Sequence, residues 1–133
     1  MKKSVTSILI LAILFALAQP AFAAVPPSVD PQYTNAQSVS VSLNISSSGT
    51  ATILVRLTGK TGLTNASVTT YLEKKVGGLW VPVDDWQYST SVRVFSKTYS
   101  EQLSGSGEYR AVAKFTLKAA TVENITVTSY DSY

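Results

Sequence analysis

From Gln37 onward, apolar residues recur at every second position, and few backbone shapes satisfy that pattern. A period of two sends alternate side chains to opposite faces, which an extended strand does and a helix does not. Val39, Val41, Leu43 and Ile45 alternate with Ser38, Ser40, Ser42 and Asn44. Ala51, Ile53, Val55 and Leu57 alternate with Thr52, Leu54, Arg56 and Thr58, Leu54 being the exception to a polar outer face. Val68, Thr70 and Leu72 stand opposite Thr69, Tyr71 and Glu73. Tyr109, Ala111, Ala113, Phe115 and Leu117 form one apolar face against Arg110, Lys114 and Thr116. Each segment therefore reads as a strand with one buried and one wet face.

Turn residues separate these runs. Ser46 to Gly49, Gly59 to Asn65 and Ser104 to Gly107 are the loops. Gly77-Gly78 predicts a tight hairpin, because both positions of a primed turn need positive φ. Leu79 to Trp86 returns as a strand, and Pro82 confines it to an edge or a bulge because proline cannot donate to a ladder. Ser91 to Leu103 alternates too, but Val92 and Val94 on one face and Phe95 and Tyr99 on the other leave its buried side open. Thr121 to Tyr130 is the last run. About seven short strands at this spacing predict an all-β domain over 37–133: an Ig-like or fibronectin-III-like antiparallel β-sandwich, with a small closed barrel as second choice. Pro26, Pro27 and Pro31 make residues 24–36 an extended lead.

The N-terminus has the three parts of a secretion signal. Lys2 and Lys3 supply the positive start, and Ile8 to Leu17 is an unbroken apolar run. Gln19 and Pro20 break the signal helix, and Ala21 and Ala23 flank Phe22 where a signal peptidase needs small residues. Cleavage is expected between Ala23 and Ala24. The apolar run is about half the roughly 20 residues of a membrane anchor, so no membrane attachment is expected once the signal is removed. Losing Lys2 and Lys3 takes the chain from 11 basic and 8 acidic residues to 9 and 8, nearly neutral. That balance argues against a nucleic-acid partner, which needs a clustered basic face. With no cysteine, the chain carries neither a disulfide framework nor a lipidated N-terminal cysteine, and no Leu-Pro-x-Thr-Gly sorting motif is present. Release to the extracellular side is the expectation.

Two stretches carry a likeness to a known group. Val68 to Trp86 runs through a glycine turn to Trp80 and then Trp86, and Gly107-Glu-Tyr-Arg-Ala-Val-Ala-Lys-Phe115 has a Gly-x-Tyr-Arg-x-x-Ala pattern. Together they resemble small secreted proteins of Gram-positive bacteria, a domain-of-unknown-function family. The resemblance implies an Ig-like sandwich and brings no catalytic residues. Tyr109 also resembles the tyrosine corner of Ig-like domains, where a tyrosine precedes a core cysteine by two residues. Ala111 takes the cysteine's place, so packing alone must hold the sheets, and Tyr109 is expected to be structural.

The inventory of reactive groups is thin. The chain has no histidine and no cysteine, which removes the usual neutral-pH base, the thiol nucleophile and the common zinc ligands. Asp84 and Asp85 are the one carboxylate pair, but neighbours on a strand point to opposite faces and do not flank one bond. No calcium-loop spacing surrounds them or Asp131. Asn44, Asn65 and Asn124 begin Asn-x-Ser/Thr triplets, which a Ser/Thr-rich bacterial chain produces by chance. No enzyme activity, metal or cofactor is expected. The aromatic residues remain: Trp80, Trp86 and Tyr88 are the candidate ligand contacts, suited to stacking on a sugar or anchoring a protein. The competing expectation is that Trp80 and Trp86 merely cover the open edge of the sandwich. The expected role is a non-catalytic module for an extracellular protein or surface polymer, with a carbohydrate-binding module as the alternative.

Overall fold

The computed structural model describes residues 31–133. The signal, with Ala21 and Ala23, lies outside the described residues. The alternation becomes seven strands: β1 (Ala36–Ile45), β2 (Thr50–Gly59), β3 (Asn65–Val76), β4 (Leu79–Thr90), β5 (Val94–Gln102), β6 (Glu108–Lys118) and β7 (Val122–Ser132). They form a three-stranded sheet in the order β1-β2-β5 and a four-stranded sheet in the order β4-β3-β6-β7. Every neighbouring pair is antiparallel. Two separate sheets, not one closed barrel, share the core.

That core is the set of faces marked by the period of two. Ile53, Val55 and Leu57 of β2 cluster with Val68 and Leu72 of β3 and with Ala111, Phe115 and Leu117 of β6. β2, β3 and β6 are the inner strands of their sheets, so they carry the most deeply buried side chains. β5 resolves its ambiguous faces through register: Phe95 pairs with Leu57 and Tyr99 with Ile53, so both turn inward, while Val92 and Val94 stay exposed.

Gly77 and Gly78 make the expected turn, with φ of 57° and 81°, between the paired residues Val76 and Leu79. Gly49 has a different reason to lack a side chain. Its φ is 81°, and a Cβ there would lie 2.8 Å from the Tyr133 ring. Tyr133 and Gly107 exchange both backbone hydrogen bonds, at 2.7 and 3.0 Å, which ties down the last residue.

The lead is shorter than the prolines imply. Asn35 and Ala36, expected outside the domain, are buried. The Glu123 carboxylate accepts the backbone N–H groups of Thr34 and Asn35 at 2.8 and 2.6 Å. The Asn35 side chain donates to the carbonyls of Thr121 and Leu117. Polar pairing of this kind leaves no hydrophobic period, so the sequence pattern could not mark it.

Thr70 sits fully buried in the middle of β3, and its hydroxyl has no partner. An unpaired buried polar group costs about 1–3 kcal/mol. Thr70→Val keeps the shape and removes the cost. It is expected to raise the unfolding free energy by about 1 kcal/mol, read from the urea midpoint; a lower midpoint contradicts this assignment.

Candidate functional site

A single irregularity in β4 decides where the tryptophans point. Trp80 and Trp86 are six residues apart, and an unbroken strand would turn both to one face. The pairing with β3 shifts, however: Leu72 faces Asp84 while Glu73 faces Pro82, leaving Val83 as the extra residue of a bulge. Pro82 stands beside it on an edge strand, the location that its missing N–H demands. The bulge reverses the alternation, so the tryptophans separate.

Trp86 turns toward the core. It stacks on Tyr99 of β5 with ring centroids 5.0 Å apart and planes 11° off parallel. Tyr88 meets Phe95 edge-on at 5.1 Å, and the Lys97 ammonium lies 4.0 Å from the Tyr88 ring centre. These side chains close the side of the sandwich where β4 and β5 are the outermost strands. Burial raises the Tyr99 phenol above its ordinary value near 10, and the neighbouring Tyr88 adds to the rise. The folded chain therefore holds that proton more tightly than the unfolded chain. This contribution to stability is complete below the unfolded value and is lost as pH rises through the folded one. Thermal midpoints are expected to fall above about pH 10, with a shallower fall in Tyr99→Phe; parallel curves for the two proteins would refute this.

Trp80 occupies the opposite, outer face of the four-stranded sheet, beside Lys75 in register. The Arg110 guanidinium carbon lies 4.5 Å from the Trp80 ring centre. Tyr130 approaches the same ring at 5.9 Å, tilted by 55°. Glu73 pairs with Arg110 at 2.5 Å, and both side chains are largely covered. The hydrogen bond from Arg110 to Glu73 is the main reason that the guanidinium pKa is raised. Lys75 pairs with Glu108 at 2.9 Å in a more exposed position. The strand register sets Glu73, Arg110 and Tyr130 side by side on three strands: Glu73 faces Arg110, and Arg110 faces Tyr130.

An open groove of about 460 Å³ follows from this arrangement, lined by Lys75, Trp80, Glu108, Tyr109, Tyr130 and Asp131. Tyr130 stands in its wall, 63% exposed. Beyond Arg110 the same face continues through Tyr71, with the Lys114 ammonium 5.3 Å from its ring centre.

Of the three candidate aromatics, only Trp80 belongs to this groove. Trp86 and Tyr88 pack against the core. Thus Trp86 covers the open side of the sandwich and Trp80 does not. Arg110, Glu73 and Tyr130 emerge only from the structure. The one sequence signal that could have found them is Pro82: counting across a bulge there moves Trp80 to the face opposite Trp86. Tyr109 is 1% exposed, and its hydroxyl donates to the Gly105 carbonyl four residues upstream.

Asp84 and Asp85, the adjacent carboxylates of the sequence, lie on β4 and do not line the groove. Asp84 is half-buried, Asp85 is exposed, and the Asp85 N–H donates to the Asp84 carboxylate at 2.8 Å. Among the described residues, no three His, Cys, Asp or Glu side chains come together to hold a metal ion. No protein-family model matches the chain, and neither a curated protein nor a solved structure matches it.

Proposed function

We propose that this chain is an exported, non-catalytic binding module that holds an extracellular protein or surface polymer on the outer face of its four-stranded sheet. The observation that carries the reading is the Trp80–Arg110–Tyr130 cluster, braced by Glu73 and opening onto the groove. Tryptophan, tyrosine and arginine dominate the energetics of binding surfaces, and a braced guanidinium reduces the ordering cost of binding. A sequence without histidine or cysteine supports the non-catalytic part. The carbohydrate alternative keeps one specific support: Tyr130 offers a ring for stacking beside the donor–acceptor pair Lys75 and Glu108. Trp86 and Tyr88, partly buried against the core, lie outside this groove.

The finer fold reading belongs with this proposal. An Ig-like, fibronectin-III-like sandwich is supported by the division into β1-β2-β5 and β4-β3-β6-β7, and by the Tyr109 hydroxyl reaching back to Gly105. Bacterial secretion rests on the N-terminal signal and on the likeness to small secreted proteins of Gram-positive bacteria. Capture of cell-envelope and host-surface components by the purified protein tests the function, with Tyr130→Ala as the comparison. Loss of the captured component on Tyr130→Ala supports the reading, and equal capture rejects it. Secretion is checked on the same protein recovered from the medium, whose first residue should be Ala24; intact Met1 would reject the signal.

A further inference from the structure

A sandwich of two sheets has four edge strands, and here β1, β4, β5 and β7 occupy those places. An open edge is a template for another strand, and folded proteins normally blunt it. Three of these edges carry such devices. β4 has Pro82 and the bulge at Val83. β5 points Lys97 and Glu101 inward, opposite Val55 and Ala51. β1 has a register shift near its start, and two of its amides are covered by β7 side chains. The Ser129 hydroxyl takes the Leu43 N–H at 3.0 Å, and the Asp131 carboxylate takes the Ile45 N–H at 2.7 Å.

β7 is different. It pairs with β6 without a register shift from Val122 to Ser132, and it contains no proline and no lysine. Glu123 and Asp131 point inward, opposite Leu117 and Tyr109, as the charges of β5 do, but they lie near the ends and serve the lead and β1, which leaves the stretch from Asn124 to Tyr130 uncharged. The direction of its backbone groups follows from alternation. Gly107 and Tyr133 exchange both hydrogen bonds. Antiparallel pairs alternate between bonded and non-bonded, so Glu123, Ile125, Val127, Ser129 and Asp131 bond to β6. Asn124, Thr126, Thr128 and Tyr130 then direct their N–H and C=O groups away from β6. Among the described residues these groups have no hydrogen-bond partner. The same parity rule applied to β1, from the Ser46–Thr50 bond, makes Leu43 and Ile45 outward, and those are the amides that β7 side chains cover.

We propose that β7 is the edge through which two copies of this chain pair, antiparallel about a two-fold axis at Thr126, merging their four-stranded sheets into one. This register sets Asn124 opposite the partner's Thr128, and Val122 opposite the partner's Tyr130. Val122 and Tyr130 are 60% and 63% exposed in the single chain, the two most exposed large apolar residues of β7. The two-fold pairs them twice, as aromatic and β-branched cross-strand neighbours. Charge rejects one neighbouring register. Centring on Val127 would place Glu123 opposite the partner's Asp131, two like charges facing each other. Centring on Thr126 places Glu123 opposite a serine. Centring on Ile125 would carry Tyr130 past the start of the partner strand at Val122. The uncharged outer residues Asn124, Thr126 and Thr128 meet no repulsion. The pairing shares Tyr130 with the proposed binding face, but its test is the oligomeric state and needs no ligand, and it would align two such faces side by side.

The absence of cysteine makes the test clean. The purified protein is expected to sediment as a concentration-dependent dimer. On mild oxidation, Thr126→Cys should cross-link to a covalent dimer at least tenfold faster than Asn124→Cys, because only Thr126 faces itself. Thr126→Pro removes an outward N–H while sparing the bonds to β6, and should sediment as a monomer with a cooperative unfolding transition. A parent protein that stays monomeric at every concentration overturns the proposal. So do equal cross-linking rates for the two cysteine variants, or a folded Thr126→Pro protein that still dimerises. Should Thr126→Pro not fold, the cysteine pair decides alone.

Discussion

Trp86→Ala is expected to lower the unfolding free energy by about 3 kcal/mol, and Trp80→Ala by about 1 kcal/mol or less. The two residues are the same type on the same strand, so the difference isolates their surroundings. Trp86 stacks on Tyr99 and packs against the core. Truncating it removes apolar burial and opens the side of the sandwich between β4 and β5; because Trp86 is only partly buried, the loss falls at the low end of the about 3–5 kcal/mol that truncating a core tryptophan costs. Trp80 lies on the outer face over Arg110, where truncation leaves no cavity in the core. For a domain near 100 residues, each 1 kcal/mol moves the thermal midpoint by about 4–8 °C, so the two variants should separate clearly in one melting experiment. Equal losses would mean that the bulge at Val83 does not divide the two side chains.

Tyr130→Ala should behave in the opposite way, with a small effect on folding and a large one on binding. Its ring is mostly exposed, and its loss leaves the core cluster untouched. A residue of this type at the centre of a binding surface contributes about 2 kcal/mol or more, so capture of the partner should weaken more than tenfold. Trp80→Ala should weaken it as well, because Trp80 supports both Arg110 and Tyr130. Arg56, on the outer face of the three-stranded sheet, is the control. Arg56→Ala should capture as the parent does. A loss of capture in Arg56→Ala with none in Tyr130→Ala would move the binding surface to the other sheet.

The period of two made most of the fold legible. The inner faces of β2 and β6 were explicit because every second residue is apolar from Ala51 to Leu57 and from Tyr109 to Leu117. The Gly77-Gly78 hairpin was explicit because the turn chemistry is local. β5 was ambiguous on its own, and only its register with β2 decided between Phe95 and Val94. The burial of Asn35 was invisible because polar hydrogen bonds across about 80–90 residues of sequence hold it, and no apolar signal accompanies them. The site was half legible. Aromatic residues on β4 were the right place to look, but reading Trp80, Trp86 and Tyr88 as one set assumed an unbroken strand. One extra residue in β4 invalidates that assumption, and a bulge changes which side chains can meet without changing composition. Arg110 and Glu73 are brought together by a pairing 37 residues apart in sequence, which alternation within either strand cannot reveal.

The most direct test of the proposed binding face is the footprint of a captured partner on the isotope-labelled protein, read as changes in backbone amide resonances. The largest changes are expected at Lys75, Trp80, Arg110 and Tyr130, with Ser40, Arg56 and Ser96 on the other sheet unaffected. Changes concentrated at Ser40, Arg56 and Ser96 would contradict it.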